Sequence, residues 1–119
     1  KKVILIDRFL DSTLAYQHYG MGLDKDLILK MNNFLLGNLR PNFTFLSVVN
    51  KKNMIERLKS RKNNNKYDHY KYNFYNKVQK GFLKIAKKNK SKYLILDSNK
   101  DSLKVIENKL IYKIKKILK

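Results

Sequence analysis

Asp7 and Arg8 stand side by side where the apolar run Val3-Ile4-Leu5-Ile6 breaks off, and Ser12, Thr13, Tyr16 and Gln17 follow closely. In open α/β sheets ligands bind outside the carboxyl ends of the strands, so an acid next to a base at this place is a candidate site. A solvated ion pair at a strand end would leave the same dipeptide. Ser12 and Tyr16 form an i,i+4 pair that a helix presents on one face. The alternative there is an ordinary amphipathic helix, with Tyr16 in the core and Gln17 in water. A His-based metal site finds little support, because His18 and His69 are the only histidines, lie far apart and lack an acidic cluster. Cysteine is absent, which excludes disulfides and thiolate ligands.

The elements that must position these residues follow from periodicity. Val3 to Ile6, without polar alternation, reads as a parallel strand covered on both faces. Ser12 to Tyr19 reads as a helix closed by Gly20 and Gly22. Leu27, Ile28, Met31, Phe34 and Leu35 recur at three and four residues and predict a helix from about Asp24, stopped by Gly37 and Pro41. Phe43 to Val49 is β-branched and aromatic and reads as a second strand; Asn50 is a plausible cap for a short helix through Met54, Ile55 and Leu58. RKNNNKYD, from Arg61 to Asp68, has no apolar period and reads as a mobile loop. Phe74, Val78, Phe82 and Ile85 predict a longer helix, and Tyr93 to Leu96 a third strand ending at Asp97. Ser98 with Asp101 has the form of a capping box, ahead of a last helix striped by Leu103, Ile106, Leu110, Ile114 and Ile117. Strands separated by helices in this rhythm predict right-handed parallel crossovers and a doubly wound α/β sheet in one domain, 1–119.

With 119 residues the chain can bury a real core. No apolar run reaches the ~20 residues of a membrane span and no signal peptide opens the sequence, so the expected setting is cytoplasmic. A strand almost at the first residue suggests a missing amino-terminal part. The net charge of +19 would suit a polyanion partner, but it comes from 24 Lys against 4 Arg beside 14 Asn. That joint enrichment is what an AT-rich genome produces, and the lysines are spread over every helical segment. A solvated basic surface is therefore preferred to nucleic-acid binding.

Asp7-Arg8-Phe9, Ser12, Ala15, Tyr16 and Gln17 together resemble the DR(Y/F)xxSxxAYQ motif of thymidylate kinases of the bacterial type. Gly20-Met21-Gly22-Leu23 is similar to that family's GRGL turn, Leu39 to Thr44 to its LRPDLT, and Arg57 to Arg61 to the entry of its lid. Phe74 to Val78 with Gly81-Phe82-Leu83 resembles FFxRV…GYL, and Leu96-Asp97-Ser98 resembles IDA. The glycine-rich phosphate loop GxxxxGK(S/T) has no counterpart in these 119 residues. The resemblance is thus to the carboxyl-terminal portion of such a kinase, a P-loop nucleoside monophosphate kinase fold incomplete at its amino terminus, with a lid loop at about 61–69.

The resemblance implies transfer of the γ-phosphoryl of ATP, with Mg2+, to dTMP. It gives Asp7, Arg8 and Arg61 catalytic positions: Arg8 on the acceptor phosphate, and Asp7 toward the magnesium shell through water, with no direct metal ligand. Ser12, Thr13, Tyr16 and Gln17 would face thymine and deoxyribose, Tyr16 excluding a ribose 2′-hydroxyl. Arg57, Arg61 and Lys66 would belong to the lid, Lys66 standing where the family has an arginine and so losing its planar fork. Two alternatives remain open: a kinase for another deoxynucleoside or its monophosphate, and a basic α/β nucleic-acid-binding protein. A homodimer through 12–19 and 24–36 is expected, with no membrane attachment, and the chain alone is expected to be inactive.

Overall fold

The periodic segments become helices and the β-branched segments become strands, with two exceptions. The computed structural model describes residues 2–60 and 72–119. In chain order these form α1 (Leu10–Thr13), a π-helical segment (Leu14–Gly20), α2 (Lys25–Leu36), β1 (Thr44–Val48), α3 (Lys51–Ser60), α4 (Tyr72–Lys88), a short 3-10 turn (Lys90–Lys92), β2 (Tyr93–Asp97) and α5 (Leu103–Leu118). The described residues divide into two compact units, 2–41 with 72–88 and 42–60 with 89–119.

In the first unit, α4 packs along the π-helical segment and α1. Their shared core is small: Ala15 is fully buried, and Val78, Gly81 and Ala86 are buried on α4. Two glycines make the approach possible. A Cβ on Gly20 would lie 2.7 Å from Phe74 Cε2, and one on Gly81 would lie 2.6 Å from the Tyr19 ring. The π-helical segment is stitched by the Met21 N–H donating to Tyr16 O at 3.0 Å, five residues back. Helix α2 starts on Asp24, whose carboxylate accepts from the Leu27 N–H at 2.7 Å. It ends at Gly37, whose φ of 53° is a left-handed conformation open to glycine. Arg40 covers that end, donating from Nη1 to Gly37 O at 2.9 Å and Leu39 O at 2.7 Å, and from Nη2 to Asn33 Oδ1.

In the second unit β1 and β2 pair in parallel, Thr44 opposite Tyr93 through Val48 opposite Asp97. Leu46 and Leu96 are its buried apolar residues, and α5 turns half-buried Ile106, Leu110 and Ile114, spaced every four residues, inward. Asn50 caps α3 as expected, accepting from the Asn53 N–H at 2.9 Å.

The first exception is Val3 to Ile6, which is not a strand. A strand is defined by its ladder, and among the described residues β1 and β2 pair only with each other, leaving 3–6 without a partner. Its four apolar side chains are accordingly 54–86% exposed. The second exception is the cap of α5, which is Ser102 and not Ser98: the Val105 N–H donates to Ser102 Oγ at 3.4 Å. Ser98 is occupied elsewhere, its Oγ donating to Val48 O at 2.7 Å.

Candidate active site

Arg8 is the only non-glycine residue at positive φ, 63°, among those described. A left-handed arginine costs on the order of 1–2 kcal/mol. The bend it makes folds the side chain back, so that the guanidinium carbon lies 5.4 Å from the centre of the Tyr16 ring. An exposed cation over an aromatic face returns roughly 0.5–1 kcal/mol, which offsets part of that strain. The guanidinium carries its N–H groups in a planar fork, the shape that matches a phosphate. Asp7, beside it, is exposed and forms no ion pair among the described residues, so the strand-end salt bridge is not formed.

Tyr16 is also held by α4. Its ring meets Phe74 edge-on at 5.9 Å and Phe82 at 6.4 Å. Such pairs contribute about 0.5–1.5 kcal/mol each beyond burial, enough to fix the ring as a platform. Ser12 and Gln17 are half-buried and Thr13 is exposed. The i,i+4 relation of Ser12 and Tyr16 is altered, because Ser12 lies on α1 and Tyr16 on the wider π-helical coil. Short π-helical stretches often accompany functional sites. Nothing in the residue types of 14–20 announces this one. The coil is closed by the Leu23 N–H donating to Gln17 O at 2.9 Å and by a 2.8 Å bond between His18 Nδ1 and Leu23 O. A carbonyl only accepts, so Nδ1 carries the proton; His18 is a clasp for the glycine turn.

The second unit carries a polar clasp that residue-type reasoning missed. At the carboxyl ends of β1 and β2, Asn99 Oδ1 accepts from the Asn50 N–H at 2.8 Å and Asn53 Nδ2 at 3.1 Å. Asn99 in turn donates to Asp97 Oδ1 from its N–H at 2.9 Å and its Nδ2 at 2.7 Å. The backbone N–H of Asn99 is the main cause holding the Asp97 carboxyl below its ordinary value. The signal was present: Asp-Ser-Asn directly after an apolar strand is an Asx-turn sequence. Arg57 sits exposed in the last turn of α3, its carbonyl accepting from Ser60 Oγ at 2.9 Å. Arg61, Lys66 and the lid expected at 61–69 lie outside the described residues.

The structure thus brings Arg8 onto Tyr16 beside Ser12 and Gln17, and places Asp97 at a strand's carboxyl end. No group of three or more acidic, His or Cys side chains forms a metal cage among the described residues. Magnesium needs no such cage, because it keeps several waters and is held largely by substrate phosphates, and Asp7, exposed and outside any ion pair among the described residues, fits a contact through water.

Known proteins resemble this chain over most of its length. The family model for thymidylate kinase matches residues 1–110. A thymidylate kinase of the Aster yellows witches'-broom phytoplasma is 40% identical over 118 residues, covering 98% of this chain and 56% of the relative. One from the Onion yellows phytoplasma is 39% identical over the same length. The crystal structure of thymidylate kinase from Ehrlichia chaffeensis superposes with a TM-score of 0.62 at 30% identity, covering 92% of this chain and 48% of that one. The chain spans about half the length of the relatives it matches.

Proposed function

Since the chain belongs to the thymidylate kinase family, we propose that it supplies the acceptor half of a site that moves the γ-phosphoryl of ATP to dTMP, giving dTDP. The observation that carries this reading is Arg8 folded onto Tyr16 by its left-handed turn. Arg8 holds the acceptor's 5′-phosphate through two parallel N–H bonds from its edge. Tyr16, wedged against Phe74 and Phe82, closes the space beside the sugar's 2′ position, where a hydroxyl would collide. Ser12, Thr13 and Gln17 supply the hydroxyl and amide groups for the thymine edge, and hydrogen-bonding groups that a bound base covers reject an unmatched base more strongly than an apolar pocket does. Magnesium, when bound with ATP, neutralises the developing charge on the transferring group. Asp7 would hold that ion through a water of its shell. Arg57, Arg61 and Lys66, by their place in the family's lid sequence, would supply the lid's cations. The working unit is a homodimer whose contact includes α2, where Leu27, Met31, Phe34 and Leu35 form one exposed apolar face. Among the described residues no helix is long and apolar enough to cross a membrane.

The test is a coupled assay for ADP. The 119-residue chain alone should give no dTMP-dependent turnover, because positioning of the donor phosphates supplies most of the catalysis and these residues contain no phosphate loop. The chain joined to an amino-terminal segment bearing GxxxxGK(S/T) should turn over with dTMP. A joined enzyme that phosphorylates another nucleoside monophosphate in preference to dTMP would overturn the assignment.

A further inference from the structure

Helix α4 carries five lysines, Lys77, Lys80, Lys84, Lys87 and Lys88, and no acidic residue. At about 100° per residue all five fall within an arc of about 100°, although lysine is scattered over the chain as a whole. All five are exposed, and none is in an ion pair among the described residues. The stripe runs along one flank of the buried face, where Lys77, Lys80 and Lys84 line a concavity of about 370 Å³ with Tyr19 and the Gly20–Gly22 turn. Lys84 lies 5.5 Å over the Tyr19 ring, which holds one ammonium in place.

We propose that this stripe is a docking surface for the phosphodiester backbone of a nucleic acid, separate from the Arg8–Tyr16 site. Length and charge both fit. From Lys77 to Lys88 the helix rises roughly 16.5 Å, the span of about five phosphates along one strand of a duplex. Exposed ammoniums on mobile stems suit a backbone that is tracked without sequence readout; a small anion would be selected by buried, fixed donors instead. The stripe also continues past the concavity to Lys87 and Lys88, where a small ligand in the concavity would leave two charges unused.

The experiment is fluorescence anisotropy of a labelled 20-nucleotide strand, and of the same strand as duplex, titrated with the full 119-residue chain between 50 and 200 mM salt. Five contacts give a log–log salt slope of about −3.5 for single strands, a loss of roughly 10²-fold in affinity over that range. K77Q/K80Q/K84Q should flatten the slope by about 2, whereas K115Q/K116Q/K119Q on and beyond α5, equal in net charge, should change it by less than about 0.5. These substitutions are at exposed positions, and circular dichroism checks that both variants fold. Equal losses in the two triple variants would overturn the proposal, since diffuse charge would then be the cause. So would displacement of the strand by inorganic triphosphate at equal phosphate concentration, which would mark a small-anion site.

Discussion

Gly81→Ala isolates the contact that presses α4 against the helix carrying Tyr16. Two effects oppose each other. Alanine is favoured over glycine inside a helix by about 1 kcal/mol, so at an open position the substitution would stabilise α4. At Gly81 the added methyl would stand 2.6 Å from two Tyr19 ring carbons and 2.7 Å from Tyr19 Cβ. Ordinary carbon contacts are about 3.5–4.0 Å, so the helices must separate by roughly 1 Å. Because Tyr19 Cβ is among the obstructing atoms, rotating the ring does not relieve the clash. Overpacking of this kind costs about 1–3 kcal/mol, so after the helix gain of about 1 kcal/mol the net expectation is a loss of up to about 2 kcal/mol. That corresponds to a fall in Tm of up to roughly 8 °C for a chain of this size, read by circular dichroism at 222 nm. The double variant with Tyr19→Ala should be less destabilised than the sum of the single changes, with a coupling of about 1 kcal/mol or more. A rise in Tm for Gly81→Ala would refute the packing, because propensity alone would then have decided the outcome.

In the completed enzyme Arg8→Ala should lower kcat/KM at least ~10²-fold, on the scale of losing one transition-state donor, and near-normal kinetics would remove Arg8 from the site. Asp97 has a carboxyl held below its ordinary value of 3.8, so its contribution to stability is fully present above that pH and is lost as pH falls through the lower folded value. The Tm difference between wild type and Asp97→Asn should therefore be constant from neutral pH down to about 5 and narrow only in more acidic solution; a constant difference down to pH 2 would contradict the clasp. Phe34→Glu, at a side chain 89% exposed on α2, should leave the folded chain intact and shift sedimentation from dimer to monomer at tens of micromolar. A wild-type monomer in the completed enzyme would end the dimer proposal.

Asn99→Ala should loosen the carboxyl ends of β1 and β2 together, since one side-chain oxygen serves both the Asn50 N–H and Asn53. Faster hydrogen exchange at Asn50 than in wild type, with α5 amides unchanged, is the expected pattern. Uniform acceleration in both places would instead mean global destabilisation.

Sequence by itself determined what depends on neighbours a few residues away. The periods of α2, α4 and α5, the start of α2 at Asp24, the cap at Asn50, and the strands at 44–48 and 93–97 all rest on local sterics and hydrogen bonding. The order of motifs from Asp7 to Ser98 also sufficed to indicate the family. Tertiary structure decided the rest, because those features depend on residues distant in the chain. Val3 to Ile6 has the side chains of a strand and no ladder among the described residues, and apolar character cannot supply hydrogen-bond partners. Ser98 had a box-like spacing but bonds Val48, a strand away, leaving the cap to Ser102. The π-helical coil and the left-handed Arg8 follow no residue preference, arginine being a poor choice for positive φ. Where Arg8 lies on Tyr16 and Tyr16 on Phe74 and Phe82, residues some sixty positions apart meet because Gly20 and Gly81 let two helices close, and that proximity exists only in the folded chain.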